Sequence, residues 1–142
     1  MAQCPECGAQ YPTPDDTCAQ RFDVLLALDH SRREPWGSRH GQAFAAFALQ
    51  HPHTHARSVD AAWDALYRIY CLNEPARAVF AARRSHPAAP PHVRRPTERV
   101  SEFAVTIADL ADFAAAAYPV ALDTWCRSAL AAWGAPISTP AA

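Results

Sequence analysis

Three of the chain's five cysteines, Cys4, Cys7 and Cys18, fall within its first eighteen residues. No other feature limits the fold so strongly, because closely spaced thiols need a common ligand or a common bond. Cys4-Pro5-Glu6-Cys7-Gly8 is a Cys-x-x-Cys turn. Pro5 fixes φ where such a loop bends, and Gly8 permits the reversal that follows it. Zinc takes tetrahedral sulfur and nitrogen ligands, and a Cys-x-x-Cys turn offers two sulfurs from one loop. Thr17-Cys18-Ala19-Gln20 has the form of a capping box, with Thr17 as N-cap. Cys18 then stands in the first helical turn, where the helix dipole favours a thiolate. A redox Cys-x-x-Cys expects a βαβ setting, and no strand pattern surrounds this one. A disulfide fits an oxidising compartment, and no secretory signal pattern is present. Zn2+ is the expected ion, and inert thiols are the plain alternative.

Three sulfurs leave one coordination position. Residues 18 to about 30 have the character of one helix, and 40–51 of the next. A short link makes successive helices antiparallel, so His51 returns to the start of the first helix, beside Cys18. His40 lies at the far end unless residues 31–39 carry it back, and nine extended residues reach roughly 30 Å. The fourth ligand is therefore His51 or His40, with Asp15, Asp16, His53 and His55 as further donors.

The rest of the chain reads as all-α: a compact bundle of about five to six helices behind an N-terminal zinc-knuckle-like segment. Hydrophobic residues make up 50% and charged residues 19%, which suits a globular chain. Phe22, Leu25, Leu26 and Asp29 share one helical face. The second helix is rich in alanine and ends before Pro52. The third covers 58–72, with Ser58 as cap and a stripe of Val59, Ala62, Trp63, Leu66, Ile69 and Tyr70. A short helix over 75–84 follows. Thr106 and Asp109 form a second capping-box pattern, which predicts a helix to about residue 117. Pro119 opens the last helix, and Gly134 ends it. Trp36 is expected to dock on the core from a loop. The chain is read as one domain over 1–142: a hook at 1–18, a Pro-rich connector at 85–96 and a loose tail at 135–142.

The order CPECG, Cys18 at a helix start, His40 before FAAFALQHP, Ser58-Val59, and VTIADLADF followed by WCRSALAAW resembles a bacterial family, domain of unknown function 5946. The resemblance covers about residues 4–133 and implies attention to the three cysteines, His40 and His51. It also implies an Asp near Ala45 and a His near Ala62. This chain lacks both, so any chemistry they carry in relatives is lost here.

A formal net charge of −1 argues against nucleic acid as the main partner. No apolar run reaches the roughly 18 residues of a membrane span. A cytoplasmic location with reduced thiols follows as the expectation. The leading functional reading is a small zinc protein whose closed site is structural, with a protein partner and an adaptor role. Surface near Trp36 or Arg94 and Arg95 would meet that partner. A zinc enzyme with a water-bearing three-cysteine site is the alternative, although no His-Glu-x-x-His or His-x-Glu pattern occurs. A nucleic-acid-binding regulator comes third.

Overall fold

The computed structural model describes residues 2–137. A two-stranded antiparallel ladder, β1 (Ala2–Gln3) and β2 (Gln10–Tyr11), opens the chain. Five α-helices follow: α1 (Cys18–His30), α2 (His40–Gln50), α3 (Val59–Tyr70), α4 (Ala76–Ser85) and α5 (Tyr118–Ala132). The ladder escapes a sequence reading because two residues per strand are too few to show alternation.

Helix α1 starts where its cap dictates. Thr17 Oγ1 accepts from the Gln20 amide at 3.1 Å, and Gln20 Oε1 accepts from the Thr17 amide at 3.1 Å. Phe22, Leu25 and Asp29 are buried on one face. Helix α2 is the centre of the molecule, packing on α1, α3 and α5. Ala43 and every residue from Ala45 to Gln50 are buried, as suits a helix covered on most sides. The small alanines let its neighbours approach closely. The larger apolar volume comes from those neighbours: Trp63 and Leu66 on α3, and Leu122, Trp125 and Leu130 on α5.

Several polar groups in this core are paired, while Trp63 Nε1 and the Tyr118 hydroxyl have no partner among the described residues. Trp125 Nε1 donates to Gln50 Oε1 at 2.8 Å, and Gln50 Nε2 donates to the Val105 carbonyl at 2.7 Å. Trp133 Nε1 donates to the Leu49 carbonyl at 2.9 Å. These bonds satisfy buried amide and indole groups that would otherwise oppose folding. They also fix α5 and the bend at Val105 against the end of α2.

Several expectations need correction. The helix expected over 106–117 is only a 3-10 turn, Ile107–Leu110. The Thr106–Asp109 capping box is present, but the backbone turns left-handed at Ala111 (φ 48°) and Phe113 (φ 58°). Carbonyls that would have continued a helix go elsewhere. Arg21 Nε donates to Ile107 O at 3.2 Å, its Nη2 donates to Ala111 O, and Trp36 Nε1 donates to Phe113 O at 3.0 Å. Trp36 does dock on the body, as expected. Ser58 precedes α3 without a side-chain cap bond. Val120, near the start of α5, is 73% exposed.

The Pro-rich connector over 85–96 is exposed along most of its length but pinned at points. Asp64 is 1% exposed and accepts from the Val93 amide at 2.8 Å. Arg95 meets Asp60 at 2.7 Å and stacks over the Trp133 ring at 4.8 Å. The tail expected to be loose from 135 is tied at its start, since Ala135 is buried and donates to Leu130 O at 3.1 Å. Its residues 138–142 lie outside the described residues.

Candidate metal centre

The Cys-x-x-Cys turn is built by its own backbone. The Cys4 amide donates to Ala9 O at 2.8 Å, and the Gly8 amide donates to Cys4 O at 3.0 Å. Gly8 sits at φ 82°, a conformation that glycine reaches without a Cβ clash. The β1–β2 ladder closes the turn, so Cys4 and Cys7 face the same way. Cys18 is the first residue of α1 and His51 caps the end of α2. The antiparallel return of α2 brings those two ends together.

The ligand atoms of Cys4, Cys7, Cys18 and His51 all lie within 4.8 Å of one another. Cys7 and Cys18 Sγ are 3.5 Å apart. Sulfurs on a tetrahedral zinc with bonds near 2.3 Å stand about 3.8 Å apart, so the cluster has the span such an ion needs. His51 is 4% exposed. Its Nδ1 donates to the Phe47 carbonyl at 2.8 Å, one turn back along α2. That bond fixes the tautomer and leaves Nε2 bare, the arrangement of a metal-ligating histidine whose other nitrogen is held by a carbonyl. Nε2 is buried with no hydrogen-bond partner. An orphaned buried nitrogen aimed at three thiols fits a cation bound among them. These four residues could hold a metal ion.

Electrostatics point the same way. The hydrogen bond from the Cys7 thiol, with help from His51 and Tyr11 and against the cost of burial, lowers Cys18 to about 4. Burial pulls His51 down, but the Cys18 thiolate and the Phe47 carbonyl outweigh it and raise the imidazole to about 9. The Cys7 thiol is pushed up by its bond to Cys18 and by burial. Cys18 is thereby biased toward the thiolate and His51 toward holding a proton, while the Cys7 thiol keeps its own. A bound divalent cation replaces those protons.

Two supporting residues escaped the sequence reading. Tyr11 OH donates to Cys18 Sγ at 3.0 Å. Glu6, inside the Cys-x-x-Cys loop, accepts from the His53 amide at 2.7 Å, the Thr54 amide at 3.2 Å and the Thr54 hydroxyl. It latches the turn onto the corner after α2. A carboxylate between two ligand cysteines, facing the polar 53–54 turn, was the only available signal for Glu6. Tyr11 had none.

The other donors stand apart. His40 Nδ1 meets Asp29 Oδ2 at 2.9 Å, so residues 31–39 do not carry it to the cysteines. Asp15, Asp16 and His53 are exposed and outside the cluster. His55 is half-buried, edge-on to Phe44 and Phe47. Cys71 and Cys126 belong to other elements and are free thiols. Ala45 and Ala62 line one cavity between α2 and α3.

An apolar cavity of about 700 Å³ adjoins the cluster, walled by Phe22, Leu26, Phe44 and Phe47. Neither the curated proteins nor the solved structures contain a match to the chain. A family model does match, over residues 2–134, and its description is a family of unknown function. The chain that folds its N-terminal thiols against His51 belongs to that family, DUF5946.

Proposed function

We propose that the protein is a structural zinc protein that presents a folded surface to a protein partner. The observation that carries this reading is the closed donor set, Cys4, Cys7, Cys18 and the bare Nε2 of His51, within 4.8 Å of one another. Soft thiolates with one imidazole in tetrahedral array favour zinc over hard cations. Four protein donors leave no position for water, which favours a structural over a catalytic role. When bound, the ion supplies a cross-link between the hook, α1 and α2. The residues do the rest: Phe47 O orients His51, Tyr11 supports Cys18, and Glu6 latches the loop.

An adaptor role follows from closure, since a site with no open position has only its outer surface to offer. Within the surface first expected to meet the partner, Arg94 is exposed, while Trp36 and Arg95 are also held within the chain. Trp36 is tied to Phe113, and Arg95 to Asp60 and Trp133. Exposed apolar residues Val24, Leu72, Val100 and Val120 remain available. No described helix is long and apolar enough to cross a membrane. Reduced free thiols at Cys71 and Cys126 suit a cytoplasmic setting.

Metal analysis with X-ray absorption on the purified chain tests the reading. One zinc per chain in a three-sulfur, one-nitrogen shell is expected. A water-bearing shell would move the case to a zinc enzyme, and a chain without stoichiometric metal would end it.

A further inference from the structure

Away from the thiols, two adjacent cavities share a wall of His40, Gly41, Phe80 and Arg83. One, about 610 Å³, lies between the start of α2 and helix α4, and Arg77, Arg83 and Arg84 line it. The other, about 340 Å³, lies between α2 and α3, with Ala45, Ala61, Ala62 and Ala65 on its walls and Arg57 among its lining residues. Neither lining contains a carboxylate.

Two of the three arginines lining the larger cavity, Arg77 and Arg84, have no carboxylate partner among the described residues. Helices α2 and α4 both present their N-terminal residues to it, and neither has an acid in its first turn or a side-chain cap. Backbone amides at such ends carry partial positive charge. Arg77 lies in the first turn of α4, where the dipole disfavours a cation, so helix stability does not account for it. Among the described residues, no carboxylate pairs with Arg57, Arg77 or Arg84. Arg83 is held at 3.5 Å by Asp64, and Glu34 is occupied by Ser38 and Arg39. His40 stands at the junction of the two cavities, one ring edge fixed by the buried Asp29. The Phe80 ring rests on Gly41, where a Cβ would meet it at 2.9 Å.

We propose that the paired cavities bind a small organic phosphate, a phosphomonoester with a compact apolar body. The phosphate lies against Arg77, Arg84 and the two helix starts, and the body enters the alanine-walled space past Phe80. Arginine suits the anion because its planar fork matches phosphate oxygens. His40 is the hydrogen-bonding group at the junction, and Asp29 is its positioning residue. The site shares no ligand residue with the metal centre, so it stands apart from the zinc reading.

Calorimetry on the full chain with phenyl phosphate, inorganic phosphate and phenol tests this. Phenyl phosphate should bind one per chain, inorganic phosphate about tenfold more weakly, and phenol not measurably. The exposed double change Arg77→Glu with Arg84→Glu should weaken both anions by more than about tenfold, while Arg94→Glu leaves them unchanged. Ala61→Leu should bring phenyl phosphate down to the level of inorganic phosphate. The site is overturned by absence of saturable heat with phenyl phosphate, by full binding in the double variant, or by equal loss in the Arg94 control. The two-part ligand is overturned if inorganic phosphate binds as tightly as phenyl phosphate, or if Ala61→Leu changes nothing.

Discussion

The N-terminal hook and the helix α5 are both held against α2, by different physics. From residue 2 to 17 only Cys7, Ala9 and Tyr11 are buried, and the ladder has two residues per strand. Such a segment cannot offset the entropy of ordering it, which is about 1–2 kcal/mol per residue for the backbone alone. Helix α5 buries Tyr118, Leu122, Trp125, Cys126, Leu130 and more, and its indoles are hydrogen-bonded into α2. Apolar burial holds one end of the molecule, while the other has the four-donor cluster, which could hold a metal ion, and the Glu6 hydrogen bonds. The largest expected effect therefore separates them. Chelation, or Cys7→Ser, should speed amide exchange over 2–17 by orders of magnitude, because structural zinc contributes on the order of 10 kcal/mol to the segment it folds. Exchange in α5 should stay slow. Equal acceleration in both would mean one cooperative unit and break the comparison. For the same reason Cys7→Ala should lower the melting temperature more than Cys71→Ala.

The converse variant acts on the other end. Trp125 is 0% exposed. Trp125→Ala leaves a large void and strands Gln50, and should cost about 3–5 kcal/mol in chemical denaturation. The folded fraction should still carry one metal per chain. Loss of metal along with stability would show that α5 also positions His51.

The same contrast explains how much was legible in the sequence. Short-range signals worked: Thr17 and Gln20 set the start of α1, and the antiparallel return of α2 brings His51, one of the two histidines left open, to the three cysteines. The 106–117 segment failed because its fate rests on Arg21, 86 residues away in sequence from Ile107. Its capping box was real, but propensity gave way to carbonyl capture by a distant guanidinium and indole. His40 was ambiguous because its partner, Asp29, sits on the buried face of α1, where an acid is unexpected without a cation beside it.

Glu6 offers a smaller and sharper test. It is the only carboxylate joining the Cys-x-x-Cys loop to the corner after α2 among the described contacts. Glu6→Ala should cost about 2 kcal/mol, typical of hydrogen bonds to a charged group. Although burial alone would raise it, the Thr54 hydroxyl and the His53 and Thr54 amides lower the Glu6 pKa. A carboxylate lowered in the folded state stabilises above its unfolded value near 4.3, and that contribution fades as pH falls through the folded value. Glu6→Gln should therefore flatten the acid limb of the stability curve and change little at neutral pH beyond a constant offset. An unchanged acid limb would remove Glu6 from the latch.

The smallest effect tests how the cluster is tuned. Tyr11 OH donates to Cys18 Sγ, and burial together with that bond keeps the phenol protonated, its pKa raised. With a cation bound, the same bond would draw charge from the sulfur and hold Cys18 in place. Partners of this kind typically contribute about tenfold or more in metal affinity. Tyr11→Phe keeps the ring in the core and deletes only the donor. Its metal affinity, by competition with a chromophoric chelator, should fall about tenfold, or about 1.4 kcal/mol, while the stability of the metal-free chain barely moves. Equal loss in both states would assign Tyr11 to packing of the hook, and the hook would then owe less to the ion than its sparse burial implies.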